Sequence, residues 1–221
     1  MATTTVDLDT ELSAVNSILG ASGQSPVTTL GDFDQVTDTD GNTTTVHSYN
    51  NPEIAFIYNI LNEVNKDVQN EGWHFNTEYH VTTTLDAAGE ISVPGDALRY
   101  DFFSEGIDKT FDVVNRNGKL YDLVDHSSTF DSGTYYLDIV RLYPFTDLPN
   151  AFQRYITYRS ASRAAAQLVS NPQLVQLLQT QEAQARAVCL EYECSQGNHS
   201  FFGSPHDTNY RNYQPYHALK R

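Results

Sequence analysis

The period of the apolar residues changes twice along the chain, and this limits the folds that the chain can adopt. After Asn51 and Pro52, apolar side chains at positions 54, 57, 61, 64 and 68 recur every three or four residues, as on one face of a helix. Asn51 can cap this helix, Pro52 suits its first position, and Gly72 can end it. Between 73 and 140 the pattern changes to short runs rich in Tyr, Thr, Val and Phe between glycines, which predicts a meander of strands.

Three further helices are predicted on the two sides of this strand region. The first begins at Asp9 or Thr10 and ends at residues 20–23, where two glycines occur. The third has Pro149 in its first turn, and the fourth runs from Pro172 to about Cys194, so that the two form an antiparallel helical hairpin. Residues 25–51 predict a loop or hairpin, and the sequence Asn-Gly at 117–118 predicts a tight hairpin turn.

The order of these elements predicts an α+β fold, in which a four-helix bundle carries an inserted antiparallel β region and an extended C-terminal tail. Residues 1–72 would supply the N-terminal helices of the bundle with an acidic loop, and 73–140 the β insertion. Residues 141–196 would form the C-terminal helical hairpin, and 197–221 the tail. The tail is rich in aromatic residues but has no helical or strand period, so we expect it to bind a partner.

Charge is distributed unevenly in this acidic chain, whose formal net charge is -15. Residues 1–98 contain nine Asp and six Glu against Lys66 alone, whereas 141–186 contain five Arg against two acids. An acidic half repels phosphate, which argues against ordinary DNA binding and suits either plain solubility or a surface that DNA slides past. Arg154, Arg159 and Arg163 on the third helix could form a phosphate-binding stripe, but an exposed helix face or an intersubunit patch is favoured.

The sequence lacks the common catalytic and metal-binding motifs. It has no nucleophile elbow, no phosphate-binding loop and no His-Glu-x-x-His element, although His74 and His80 could face one side of a strand. A calcium loop aligned on Gly41 lacks the acids at its first and last positions. Cys189 and Cys194 would lie about 140° apart on one helix, which predicts two reduced, half-buried thiols. We therefore expect no metal, no cofactor and no enzymatic activity.

The sequence also shows no secretory signal and no apolar window close to the roughly 18 residues of a membrane-spanning helix. Synthesis in the cytoplasm and no membrane span are therefore expected. With 28 acids in the chain, a pair of carboxylates across a cleft, as glycosidases use, stays open at this point.

Several short stretches, in a fixed order, resemble a known family. They are residues 11–16, 18–19 and 26–27 with Gly23 at the front, Gly72-Trp73 and Phe75-Asn76 after the second helix, 130–133, 139–142 and 148–149 before the third, and 189–193 near the end of the fourth. Together they resemble tail tubular protein A of T7-like podoviruses, the adaptor family that joins the portal to the tail nozzle.

The resemblance implies a structural adaptor in the virion tail, synthesised in the host cytoplasm. It would form a dodecameric ring between the portal protein and a nozzle protein of the tail tubular protein B type, with tail fibres as further partners, and genomic DNA would pass through the lumen without sequence-specific binding. On this reading the portal contacts are Phe201, Phe202, Tyr210, Tyr213 and Tyr216, the intersubunit contacts are Arg154, Arg159 and Arg163, and the lumen or acidic surface carries Asp32, Asp34, Asp38 and Asp40. A tail-associated hydrolase of cell-envelope polysaccharide is the alternative.

Overall fold

The computed structural model describes residues 10–37, 43–49, 51–102, 111–169 and 171–197, and for 32–37 and 43–48 it describes the backbone alone. In these residues the protein is α+β, with four α-helices and small antiparallel sheets. It divides into two compact units, which we call the helical unit (Met1–Val68 with Pro144–Tyr192) and the β unit (Gln69–Tyr143 with Glu193–Arg221). Among the described residues, no helix is both long and apolar enough to cross a membrane.

The first helix, α1 (Glu11–Ala21), begins and ends where the sequence predicts. The side chain of Thr10 accepts a hydrogen bond from the backbone N–H of Ser13, which confirms Thr10 as the cap. Gly20 lies inside the helix, and Gly23, at φ +78°, is the residue that ends it. There the N–H of Gln24 donates to the carbonyl of Leu19 at 2.9 Å, which closes the last turn.

A hairpin and the longest apolar stripe follow α1. Strands β1 (Gly31–Thr37) and β2 (Thr43–Tyr49) pair antiparallel, so the hairpin prediction for this segment is confirmed. Helix α2 (Pro52–Gln69) begins as predicted, because Asn51 Oδ1 accepts the N–H of Glu53 at 3.1 Å. All five apolar positions of the predicted stripe, 54, 57, 61, 64 and 68, are buried.

Helices α3 (Asn150–Leu168) and α4 (Pro172–Gln196) form the second half of the helical unit. Pro149 occupies the cap position of α3, not its first turn. A 3₁₀ turn at Phe145–Asp147 and Leu148 precede it. Asn171 separates the two helices as predicted, and its side chain accepts the N–H groups of Gln173 and Leu174. Later residues of α4 contact earlier residues of α3, so the two run antiparallel.

The strands of the β unit pair in an order that differs from the predicted meander. They are β3 (Thr77–Thr83), β4 (Ala97–Phe102), β5 (Val113–Arg116), β6 (Lys119–Asp122) and β7 (Tyr135–Arg141). The last strand, β7, lies between β3 and β4 and is antiparallel to both. The reason is burial: β7 carries Leu137, Ile139 and Val140, all buried, so it gains most from the central position.

Strands β5 and β6 form the hairpin that the Asn-Gly sequence predicts. Asn117 and Gly118 have φ values of +56° and +77°, the left-handed conformations that a type I′ turn requires at both central residues. Asn115 Oδ1 also accepts the N–H of Gly118 at 2.8 Å. Beneath the strands lies the core of the β unit, whose buried members are Ile91, Phe102, Leu120, Phe130, Leu137 and Ile139.

One side-chain prediction is wrong, and for His74 and His80 the structure has the favoured alternative, because both are exposed. Cys189 is fully buried and its thiol donates to the carbonyl of Ala151 at 3.3 Å, whereas Cys194 is exposed, so the thiols are not both half-buried, although neither forms a disulfide. His74 and His80 do not share one side of a strand. His74 precedes β3, and a bulge between Glu78 and Val81 places His80 at φ +56° and interrupts the alternation of faces.

Candidate assembly surface

Arg154 and Tyr158 lie one turn apart on α3 and form an exposed ridge on a helix that is otherwise largely buried. Nine of the nineteen residues of α3 are buried. Tyr158 is 39 % exposed and Arg154 is also exposed. A groove of about 380 Å³ separates this ridge from Ser13, Ala14 and Ser17 of α1. A second groove, of about 310 Å³, separates it from α4 and is lined there by Gln181, Gln184, Ala185 and Val188.

Helix α4 is long but contributes little to the core of its own chain. Of its 25 residues only Leu178 and Cys189 are buried. Leu177, Val188 and Leu190 are 58 %, 52 % and 48 % exposed. Such a helix leaves aliphatic surface in water that another protein surface could cover.

Two of the arginines near the ridge are held by a buried tyrosine. The hydroxyl oxygen of Tyr155 accepts hydrogen bonds from Arg159 at 3.1 Å and from Arg186 at 2.8 Å. The guanidinium carbons of both lie within 6 Å of the Tyr155 ring centroid, so each is also placed for a cation–π contact. The contact from Arg186 links α4 to α3, whereas the contact from Arg159 stays within α3.

The structure separates the three arginines that the sequence grouped on the third helix. Arg163 forms ion pairs with Glu63 at 2.7 Å and Asp67 at 3.8 Å, both on α2. Arg159 lies against Tyr155, and Arg154 lies on the ridge. Arg154 and Arg163 are nine positions apart, which turns them about 180° from each other around the axis. The three do not form one continuous stripe.

The other residues expected to make contacts fall largely outside the described part of the chain. Asp32 and Asp34 lie on β1, where only the backbone is described. Asp38 and Asp40 lie outside the described residues, and so do the expected portal contacts Phe201, Phe202, Tyr210, Tyr213 and Tyr216.

Two pairs of acids in the β unit are each bridged by a cation, which the sequence did not reveal. Arg141 donates to Glu78 at 2.7 Å and to Asp96 at 2.8 Å, and its hydrogen bond lowers the pKa of the Asp96 carboxyl. Lys119 bridges Asp86 and Glu90 and lowers the pKa of both carboxyls. Such bridged pairs hold strands and loops together and differ from the two open carboxylates of a glycosidase. Within the described residues there is also no group of three or more His, Cys, Asp or Glu placed to hold a metal ion.

Comparison with known proteins identifies the family. No curated protein matches the chain. A family model described as tail tubular protein matches residues 12–199, a range that begins in α1 and ends just beyond α4. This family supplies structural components of phage tails, and no observation favours the hydrolase alternative. The match covers most of the chain, and the chain therefore belongs to the tail tubular protein family.

Proposed function

We propose that this chain is the adaptor of a short-tailed phage, in which a dodecameric ring joins the portal protein to the tail nozzle and surrounds the channel for DNA ejection. The family match supports a structural role in the tail. The ordered resemblance to tail tubular protein A of T7-like podoviruses supports the adaptor position and the ring of twelve. The observation that carries the proposal is the exposed aliphatic side of α4.

The energetics of α4 favour an assembled state. Leu177 and Val188 lie on one side of α4, because eleven positions turn a helix by three turns and only about 20° more, and each keeps about half of its surface in water, so covering them would contribute about 1 kcal/mol per side chain. In a closed ring every subunit gains this contribution at the same interface, because the contact is repeated around the symmetry axis.

The charge distribution supports a DNA channel. The proposal assigns Asp32, Asp34, Asp38 and Asp40 to the lumen or another acidic surface, where repulsion of phosphate would let DNA pass without sequence-specific binding. The helices of 1–72 and 141–196 would form one four-helix bundle that builds the ring, with 73–140 as its β insertion. The aromatic tail at 197–221 would contact the portal.

Native mass spectrometry of the purified protein, with and without portal rings, tests the proposal. We expect a defined ring of twelve copies bound to the portal. A matched variant, Leu177→Ser with Val188→Ser, should bind less well, whereas Glu191→Ser on the same exposed side of α4 should have little effect. A protein that stays monomeric and shows no affinity for portal rings would exclude the adaptor role.

A further inference from the structure

A short turn in the β unit, which we call the knob turn (residues 123–126), presents two aliphatic side chains to solvent. Leu123 and Val124 follow β6 directly and are 36 % and 56 % exposed. Neither belongs to the core of the β unit or to the side chains packed against that core. A single exposed aliphatic residue is ordinary on a protein surface, but two adjacent ones on one turn form an apolar patch that a partner could cover.

A buried carboxylate holds the knob turn in one conformation. Asp122 is 2 % exposed, and its Oδ1 accepts the N–H of Val124 at 2.9 Å and that of Asp112 at 3.2 Å. The N–H of Asp122 donates to the carbonyl of Ser127 at 2.8 Å, which closes the base of the turn. The N–H of Leu123 donates to the carbonyl of Asp112 at 2.7 Å, just before β5. A turn that is ordered before binding loses less conformational entropy when a partner covers it.

Two features that lower the stability of the fold are concentrated at this turn. The second carboxylate oxygen of Asp122, Oδ2, is buried and has no hydrogen-bond partner among the residues that the structure describes. His126 has a φ of +53°, in the left-handed region that residues with a Cβ rarely adopt. In natural proteins such departures from local rules are concentrated at functional sites. They therefore favour a function for the exposed turn that they shape.

The charges beside the two aliphatic side chains indicate the chemistry of the partner. Asp125 lies in the knob turn itself, and Asp112 lies beside the turn through its backbone contact with Leu123; both are exposed. An apolar centre with an acidic border is complementary to an apolar pocket that has Lys or Arg at its rim. A second copy of this chain fits less well, because its net charge is -15.

We infer that the knob turn inserts Leu123 and Val124 into an apolar pocket with a basic rim on the nozzle protein, an inference that rests on the proposed function. That function assigns α4 to neighbouring copies and the aromatic tail to the portal, and it leaves the nozzle protein without an assigned surface on this chain. Asp122 is the positioning residue of the turn. A ring repeats the turn in every subunit, so several weak contacts act together.

The binding of purified nozzle protein to portal rings that carry this chain tests the inference, with surface plasmon resonance as the measurement. Leu123→Ser with Val124→Ser should weaken binding by at least about tenfold, mainly through faster dissociation, because the side chains that the pocket covers are lost. Leu168→Ser is the matched control, since Leu168 is an aliphatic residue of the helical unit that is 41 % exposed. It should bind the nozzle protein as wild type does.

The acidic border is tested separately by the double change Asp112→Asn with Asp125→Asn. Association with the nozzle protein should slow, and its rate should depend less on salt, because charges at the rim of an interface act mainly on the approach of the partners. Glu53→Gln with Asp147→Asn is the control, which removes two exposed acids of the helical unit. Its association rate should stay close to that of wild type.

Two changes at Asp122 test its positioning role. Asp122→Ala removes the acceptor for the N–H groups of Val124 and Asp112, so nozzle binding should weaken. Asp122→Asn keeps Oδ1 and should bind as wild type does. Circular dichroism and urea unfolding establish that each variant is folded, and native mass spectrometry establishes that it still fills portal rings.

The outcomes separate this inference from the proposed function. If the variant with serine at 123 and 124 binds the nozzle protein as wild type does, the inference is wrong and the adaptor function stands. The inference is also wrong if that variant loses its binding to the portal and not to the nozzle protein. If portal rings filled with the wild-type chain do not bind the nozzle protein, the proposed function fails, and this inference fails with it.

Discussion

Asn76 is fully buried in the β unit and cross-links the segments by which the chain enters and leaves that unit. Its amide nitrogen donates to the carbonyls of Gln69 at 2.8 Å and Arg141 at 3.0 Å. Its amide oxygen accepts the backbone N–H of Trp73 at 2.8 Å. Beside it, the side chain of Gln69 pairs with both backbone groups of Tyr143. Two buried amides thus hold the two segments together.

The change Asn76→Ala should destabilise the β unit by about 3–4 kcal/mol. It removes three hydrogen bonds, each with a net value of about 1 kcal/mol, and a buried group that loses its partner costs about 1–3 kcal/mol. The carbonyl of Gln69 keeps the N–H of Gly72 at 3.1 Å, so the loss falls mainly on the backbone groups of Trp73 and Arg141.

Urea unfolding followed by tryptophan fluorescence measures this effect directly, because Trp73 is the only tryptophan and lies in the network. The midpoint should fall while the slope of the free energy against urea stays the same. Asn70→Ala is the matched control, since Asn70 is exposed at the end of α2, and its free energy of unfolding should change by less than about 0.5 kcal/mol.

A loss in the free energy of unfolding below about 1 kcal/mol, with an unchanged slope, would refute the reasoning. The removal of three buried hydrogen bonds should lower that free energy by more. Asn76→Asp gives a second measurement. It keeps the acceptor for Trp73 but turns a charged oxygen toward the carbonyls of Gln69 and Arg141. Stability should partly recover as the pH is lowered, because protonation removes the charge and restores one donor.

Three further predictions concern other parts of the chain. Phe152→Ala should lower the free energy of unfolding of the helical unit by about 3–5 kcal/mol in urea, since the ring is fully buried and meets Tyr192 edge-on; a loss under 1 kcal/mol would contradict this packing. Gly118→Ala should cost about 1–2 kcal/mol in thermal unfolding because φ is +77°, while Gly95→Ala, with open space around it, is the control. Burial and the hydrogen bond to Glu11 raise the pKa of Tyr58 from 10.0 to about 12. The protonated hydroxyl therefore stabilises the folded state fully below pH 10, and this contribution to the free energy of unfolding is lost as the pH rises through 12. Tyr58→Phe should flatten that loss in alkaline unfolding, and an identical pH profile would contradict the assignment.

Features whose cause is local in the chain were predictable from the sequence. Asn51 and Pro52 set the start of α2, and Asn171 with Pro172 separates α3 from α4, because capping and the missing proline N–H act within a few residues. Asn117 and Gly118 form their hairpin because both tolerate the left-handed conformation. The short stretches that resemble a tail tubular protein, and their order, could also be recognised in the sequence. The family match over residues 12–199 agrees with this resemblance.

Features that depend on long-range packing were decided by the tertiary structure alone. The central position of β7 follows from burying Leu137 and Ile139 against strands far away in sequence. The division of the arginines follows in the same way, because Arg163 meets acids of α2, and only packing brings α2 beside α3 and leaves Arg154 on an exposed ridge. Residue spacing fixes where a side chain lies around its own helix, whereas its partners depend on which surfaces are buried together, a balance summed over the whole chain.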